Sequence, residues 1–572
     1  MNDRYLLRFA GVLLAALAAL TLILTWRAVL SAYSPLPFWD QWEEVVTSQY
    51  LAHLFSAHNE HRIAIPRLFF AIDSSVFGGR NLFLLAAIQL IQALHAAALV
   101  WVARRAGVRG PALALIGALV VALLFSGAQI ENFYWGFQVQ FVLVYLLATI
   151  TFILALLGKA TLWRDAGAVA CGIAAALCLS AGILVLPACA VFLVLMRAPV
   201  RRIVIYAATG ILIWVAYFQG GILSSAGSEP VATLSAPLNI LYYAFVFLGG
   251  PLRHLASSGP VTALLPVLET EVRAAALTGL AGLSLALLAG LIVLVRNGPR
   301  ARFVLLAICG LVVVVAVMTG AGRWELGAEQ ALSSRYATPV FLFWASLGAL
   351  YWSLSRQLPR AIWRTTAQSV LTLTFFIVVI LALTHRGGWT DLARAQGDRL
   401  ERAESAVLTG VRDDEILAGI YPSPQKVMEQ AAVLREAGNS VFASGRDDWI
   451  GQTLDSIADR VDPSQCLGVI DERRTVGAGQ EGEGVRATGW VFATQPQRPV
   501  NEILLVSGSG EVRGYGQRLI DRPDVMAAEP VVTDSRSGWL GHTRSAEGET
   551  IVAYAILDEA GGRLAVCEFA RR

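Results

Sequence analysis

The sequence predicts a polytopic α-helical membrane protein that ends in a soluble domain, and three observations carry that reading. Hydrophobic residues make up 56% of the 572 and charged residues only 15%, with a mean hydropathy of +0.59, whereas soluble domains carry roughly 25% charged residues. Apolar runs close to the 20 or so residues that cross a bilayer core recur as far as residue 384. Beyond residue 385 such runs stop and charges become frequent.

Eleven runs are read as spans: 5–30, 82–103, 111–126, 138–157, 166–180, 182–196, 203–219, 274–295, 303–321, 337–355 and 366–384. The first lacks a small-residue cleavage site after a short core, so it is expected to be a retained helix. With the N-terminus cytoplasmic, Arg104, Arg105, Arg109, Lys159, Arg164, Arg197, Arg201, Arg202, Arg296, Arg300, Arg302, Arg356, Arg360 and Arg364 all fall on one side. That is the positive-inside pattern. The acids Glu131, Glu229, Glu269, Glu271, Glu325 and Glu329 fall on the other side, with Asp165 the exception. Residues 237–250 (PLNILYYAFVFLGG) are read as a re-entrant or interfacial helix, because a full span there would put the basic residues 296–302 outside. The loop 34–80 and the C-terminal domain are then both outside.

Three segments follow: a membrane domain over 1–384, a helical linker over 385–463 broken at Pro422 and Pro424, and an all-β domain over 464–572. Short alternating stretches such as GVRATGWVFAT and ETIVAYAILD, parted by Gly, Pro, Asp and Ser, predict a sandwich. Cys466 opens this domain and Cys567 closes it. First and last strands are often neighbours, so the two can form a disulfide on an oxidising outer side, or stand as two unpaired thiols. Cys171, Cys178, Cys189 and Cys309 lie in apolar runs and read as small buried residues.

Several classes drop out. A net charge of +3 with its basic residues scattered over short loops does not suit nucleic acid. No Gly-rich phosphate loop marks a nucleotide site. Most spans carry no charge at mid-depth and neither half repeats the other, so the marks of an ion-coupled transporter are missing. His58 and His61 are spaced His-x-x-His, not the His-x-x-x-His that puts two ligands on one helical face. No cofactor is expected, with a divalent metal at His58, Glu60 and His61 as the alternative.

Three polar islands remain on the outer side. The first holds Trp39, Asp40, Glu43 and Glu44, then His58, Asn59, Glu60, His61 and Arg62. Asp40, between Trp39 and Trp42, suits a base that takes a proton from an attacking hydroxyl; it equally suits a loop acid, helix cap or arginine partner. The second is Glu131 and Asn132, flanked by Tyr134, Trp135 and Gln138. Carboxylate, amide and aromatic faces together suit a sugar, although an aromatic belt with one solvated acid has the same composition. The third is bracketed by Arg323 and by Arg335 with Tyr336. A guanidinium at headgroup depth matches a lipid phosphate; many such arginines simply snorkel to phospholipid.

An acid in the large first outer loop (Phe38-Trp39-Asp40), an acid in the second (Glu131-Asn132) and an Arg-Tyr before a late span (Arg335-Tyr336) together resemble the GT-C superfamily of integral membrane glycosyltransferases. The resemblance covers residues 1–384. Asp40-Gln41 departs from the Asp-Glu pair of the protein O-mannosyltransferases, and the Trp-Trp-Asp motif of oligosaccharyltransferases is missing. It implies transfer of a sugar from a polyprenyl-phosphate donor to a glycan, lipid or protein acceptor, at the outer face of a bacterial inner membrane. Asp40 would be the base, Arg335, Tyr336 and Arg323 would hold the phosphate, and Glu131, Asn132 and Glu60 would orient sugar or acceptor. The β domain is similar in architecture to the carbohydrate-binding modules of arabinosyltransferases. A flippase or exporter of lipid-linked sugars, and a non-catalytic glycan-binding assembly factor, are the alternatives.

Overall fold

The computed structural model of the chain describes residues 3–219, 236–257, 270–296, 298–544, 548–560 and 562–571. Glu229 and Glu269 of the expected outer acids lie outside these. The longer helices are α1 (Asp3–Ser31), α2 (Ala64–Val76), α3 (Leu82–Arg105), α4 (Pro111–Leu124), α5 (Val139–Leu156), α6 (Leu162–Ala176), α7 (Val185–Leu195), α8 (Val200–Tyr217), α9 (Pro237–Gly249), α10 (Glu271–Val295), α11 (Ala301–Arg323), α12 (Ala337–Ser355), α13 (Ala361–Thr384), α14 (Arg386–Thr409) and α15 (Pro424–Ala437).

Among the described residues, nine helices are long and apolar enough to cross a membrane: α1, α3, α4, α5, α8, α10, α11, α12 and α13. The protein is therefore read as membrane-embedded, with nine candidate spans where the sequence suggests eleven. The difference lies in 166–180 and 182–196. There the chain forms two shorter helices, α6 and α7, parted at Ser180–Leu184 by a turn of 3-10 helix. Fifteen residues reach only about 23 Å at 1.5 Å per residue, short of a core about 30 Å thick. Because the two are consecutive, removing them from the count leaves the sidedness expected of every other loop unchanged. The 13-residue α9 is likewise too short to span alone.

The chain forms two compact units. The first comprises Met1–Ser31, His53–Phe69 and Leu84–Ala393, and the second Ala32–Ala52, Phe70–Phe83 and Arg394–Arg572. In the first, α12 is almost wholly buried, whereas α1, α8 and α13 bury little of their length. α9 packs on α10 so closely that a Cβ on Gly249 would stand 1.9 Å from the Ala275 carbonyl oxygen, and one on Gly279 1.9 Å from that of Phe245. Only glycine permits this backbone approach. The buried Arg302 guanidinium donates from Nε to the Ser353 Oγ and from Nη2 to the Ser353 carbonyl oxygen, both at 2.9 Å.

The second unit is built on β3 (Ala458–Arg460), β4 (Cys466–Val476), β5 (Gly484–Thr494), β6 (Gln497–Pro499), β7 (Glu502–Ser507), β8 (Val512–Ile520), β9 (Gly538–Thr543), β10 (Ile551–Ala560) and β11 (Arg563–Arg571). These make one continuous sheet in the order β3-β11-β10-β7-β8-β9-β5-β4, with β6 beside β5. A half-barrel thus stands where the sequence suggests a sandwich. Alternation says that a strand has a face to bury; it does not say whether another sheet or the same sheet, curled, covers that face. Register shifts in several pairs, such as Ile470/Glu472 and Leu505/Val506, are the bulges that add twist and bend a sheet. A Cys466–Cys567 disulfide, Cα atoms 6.2 Å apart, ties β4 to β11.

Both faces of the sheet are covered. Ile503 and Leu505 point into one cluster with Trp539, Val485 and Ala553. Leu504 and Val506 point into another with Leu400, Ala403 and Val407 of α14, Val427 and Leu434 of α15, and Leu36, Trp42 and Val45. α15 starts at Pro424 behind a Ser423 hydroxyl that accepts from the Lys426 N–H at 3.3 Å, and it ends at Gly438, which takes φ +62°.

Candidate functional site

The first unit contains a cavity of about 540 Å³ whose lining includes Glu60, His61, Arg323, Arg335 and Tyr336 among apolar side chains of the spans. Glu60 and His61 arrive there on a small hairpin, β1 (Ala57–His58) and β2 (His61–Arg62), in which His58 pairs with His61. Its two-residue tip is Asn59-Glu60, and Asn59 takes φ +49°, a left-handed conformation that asparagine tolerates better than most residues. The hairpin is pinned from beneath. Buried Arg67 donates to the Ser56 carbonyl at 2.7 Å. Arg62 uses its guanidinium on the carbonyls of Tyr217 (2.9 Å), Phe55 (2.7 Å) and Gln219. His58 lies against the Phe137 ring, with centroids 5.2 Å apart.

At the hairpin tip, Arg323 Nη2 donates to Glu60 Oε1 at 2.8 Å, and His61 Nε2 lies 3.6 Å from the same oxygen. Burial pushes the Glu60 carboxyl up, but His61 and Arg323 outweigh it and hold the group below the ordinary glutamate value. Glu60 therefore stays an ionised carboxylate at neutral pH, paired directly with a guanidinium on the wall of an amphipathic cavity.

Arg335 enters on a 3-10 turn, Ser334–Tyr336, just before α12. A polar lattice fixes that turn. Asn132 Nδ2 donates to the Arg335 carbonyl at 2.9 Å and to Thr338 Oγ1 at 2.8 Å, and Thr338 donates to Gln129 Oε1 at 2.6 Å. Ser334 Oγ donates to the Ala128 carbonyl at 2.9 Å. The Arg335 side chain lies 3.9 Å from Glu131 Oε1, donates to Ser333 Oγ at 3.2 Å and sits over the Tyr336 ring at 5.9 Å. Burial raises the Glu131 carboxyl and Arg335 partly offsets the rise. Tyr336 accepts from Gln330 Nε2 at 3.1 Å, and its ring packs on Phe247 at 5.1 Å.

The second and third polar islands therefore meet at Arg335, and the hairpin half of the first meets the third at Arg323. Glu131, Asn132, Tyr134 and Gln138 are not among the residues described as lining the cavity. Asn132 and Glu131 act on Arg335, while Gln138 is buried. The remaining expected residues belong to the second unit. Trp39 and Asp40 lie in the 3-10 turn Trp39–Trp42, where Trp39 has φ +50° and donates its N–H to the Ile420 carbonyl at 2.8 Å. Trp39 is 42% exposed, whereas Trp42 is fully buried in that unit's core. Glu43 accepts from the Tyr421 hydroxyl.

Three features were not singled out in the sequence: the Arg67 brace, the Gln129-Thr338-Asn132 lattice, and a buried Ser405-His542-Asp413 chain in the second unit. In that chain Ser405 Oγ lies 2.7 Å from His542 Nδ1, and His542 Nε2 lies 3.1 Å from Asp413, which also accepts from Arg486 at 3.1 Å. All three members are buried, so no substrate reaches the hydroxyl and the chain reads as core polar satisfaction. Among the described residues no group of three or more His, Cys, Asp or Glu is placed to hold a metal ion. No family model, curated protein or solved structure matches this chain.

Proposed function

We propose that the first unit is an inverting glycosyltransferase that moves a sugar from a polyprenyl-phosphate donor to a glycan, lipid or protein acceptor at the outer face of a bacterial inner membrane. One observation carries the reading: Arg323, Arg335 and the Glu60 carboxylate converge on one cavity walled by apolar side chains of the spans. A lipid-linked sugar phosphate needs those three things together: guanidiniums for phosphate oxygens, an apolar wall for the prenyl chain, and a base for the acceptor.

In the reaction the acceptor hydroxyl oxygen bonds to the anomeric carbon as the bond from that carbon to the phosphate oxygen breaks, and the hydroxyl proton passes to a carboxylate. The lipid phosphate departs as a stable anion, so it needs no acid. Arg335, with Arg323, stabilises the charge gathering on it, an interaction worth roughly 3 to 4 kcal/mol. Glu60 and Glu325 both line the cavity, and Glu60 is the one held beside the Arg323 guanidinium; Asp40, carried by the second unit, is the competing candidate base. Incubating the detergent-purified protein with polyprenyl-phosphate sugars tests the reading. Release of polyprenyl phosphate that depends on an added acceptor supports it. Donor that is bound but never cleaved overturns it in favour of a flippase or a binding protein.

A further inference from the structure

The outward side of α2 is apolar and its inward side polar, the reverse of a helix on a water-soluble surface. Its two charged residues, Arg67 and Asp73, are 2% and 3% exposed, whereas Leu68, Ile72 and Val76, spaced four apart on one face, are 40%, 43% and 68% exposed. Ser75 is the one other exposed residue of the helix, and its hydroxyl turns back to donate to the Ala71 carbonyl at 2.7 Å, which hides a polar hydrogen from an apolar surrounding. α15 shows the ordinary arrangement, with Gln425, Glu429 and Glu436 among its exposed positions. We propose that α2 lies along the membrane surface, with Leu68, Ile72 and Val76 seated in lipid at the boundary between headgroups and acyl chains.

The helix cannot hide this face by rolling, because its polar side is tied down. Arg67 donates to the Ser56 carbonyl at 2.7 Å, Asp73 accepts from the Asn81 N–H at 3.1 Å, and Ser74 Oγ accepts from Asn439 Nδ2 at 2.8 Å. Nor can it cross a bilayer: its 13 residues reach about 20 Å at 1.5 Å per residue, against a core about 30 Å thick. A short helix with one apolar face lies in the plane of the interface.

Lipid is the occupant because the chain carries this face directly into the apolar side of a candidate span. Residues 77–81 join α2 to α3, which is long and apolar enough to cross a membrane. Exposed Phe77 stacks on Phe83 in the first turn of α3, with centroids 4.8 Å apart and rings 11° from parallel. Leu82, Leu90 and Leu94 then continue the exposed apolar side along that span, where acyl chains cover it. The contact also bears on the cavity of the first unit. Arg67, on the inward side of α2, braces the hairpin that carries Glu60, so lipid held against the outward side backs that hairpin.

Nitroxide labels at Leu68→Cys, Ile72→Cys and Val76→Cys provide the test, each in the full-length protein with Cys171→Ala, since Cys178, Cys189 and Cys309 are buried. The labelled proteins are placed in nanodiscs of phosphatidylethanolamine and phosphatidylglycerol. Collisions with oxygen, which concentrates in lipid, are compared with collisions with a water-soluble nickel chelate. Leu90→Cys, on the exposed side of α3, is the lipid reference, and Glu472→Cys, exposed on β4, is the water reference. Oxygen collisions are expected to exceed nickel collisions at all three α2 positions, as at Leu90, with the opposite order at Glu472. An excess of nickel collisions at two or more of the three places the face in water and overturns the proposal. Loss of both kinds of collision at two or more means that protein covers the face and overturns it equally, with dipolar broadening between labels identifying a second copy of this chain as the cover. The readout needs no transfer of sugar, so it stands or falls apart from the transferase reading.

Discussion

Two carboxylates from one stretch of sequence, Asp40 and Glu60, end in different compact units. Residues Ala32–Ala52 and Phe70–Phe83 fold with the C-terminal half-barrel, while His53–Phe69 fold with the spans. In the first segment the aromatic residues serve a water-soluble type of core, with Trp42 buried beside Leu400 and Leu434. In the second a hairpin braced by Arg62 and Arg67 carries Glu60 to a guanidinium. The stretch between two spans is therefore not one loop but two insertions. The acid whose neighbours look most purposeful in the sequence, Asp40, is not among the residues that line the cavity, whereas Glu60 is.

The largest expected effect tests that contrast directly. Glu60→Gln is expected to lower turnover by about 10²- to 10⁴-fold, the usual contribution of a general base, with donor binding little changed. Asp40→Asn is expected to remain active. The reverse pattern in a transfer assay would return the base role to Asp40 and leave Glu60 as the Arg323 partner only.

Next is Arg335 in its proposed role as phosphate clamp. Arg335→Ala is expected to cost roughly 10²- to 10³-fold in turnover and to weaken donor binding, whereas Arg335→Lys keeps a point charge and loses the fork. Titration with a non-transferable polyprenyl phosphate checks it. Equal donor affinity in Arg335→Ala and the wild type would remove this residue from the site.

On the second unit's side of the comparison the expected effects are on stability. Trp42→Ala should destabilise by about 3 to 5 kcal/mol, the range for truncating a buried aromatic, and Trp39→Ala by about 0.5 kcal/mol or less. Thermal melting of the two variants in detergent measures the difference. Similar losses in both would mean that the pair acts together at a membrane surface, as an aromatic belt does.

How much of this was legible follows from which signals are local. Hydropathy runs are local, so the long spans and the change of composition after residue 385 could be read directly. Strand alternation is local too, and with Cys466 and Cys567 at the two ends of the β domain their pairing could be foreseen as an option. Sheet curvature is not local: bulges and coverage of both faces depend on what packs against each strand, and Leu504 and Leu505, adjacent in sequence, enter different clusters. The break of 166–196 into α6 and α7 did leave a trace in Ser180 and Gly182 within an apolar run. Asn59 left another, since asparagine at a tight turn marks a hairpin. The flanking histidines, His58 and His61, carry a chemical signal that masks it. The partition of 32–83 between two units left no local mark, because it is decided by long-range packing.

The smallest effect sharpens the same partition through a buried acid. Asp73 lies near the C-terminal end of α2, in the part of that helix belonging to the second unit, and is nearly inaccessible. One carboxylate oxygen accepts from the Asn81 N–H at 3.1 Å. Burial is the main influence on the carboxyl and raises it to about 6, with the backbone N–H groups of Asn81 and Phe83 only partly offsetting the rise. A helix C-terminus adds to the disfavour, since its partial charge is negative. The folded value therefore stands about two pH units above the unfolded aspartate value of about 3.9. Folded protein binds the extra proton between those values, so the stability the protonated acid contributes is complete below about pH 4 and is lost as pH rises through about 6. Above that, the ionised acid costs on the order of 3 kcal/mol. Asp73→Asn keeps an oxygen for the Asn81 N–H and cannot ionise. Melting of the variant should exceed that of the wild type at pH 8 and match it at pH 4. A shift of equal size at both pH values would show that Asp73 is not held in a buried, uncompensated state, and with it the packing of Phe70–Phe83 into the second unit would fail.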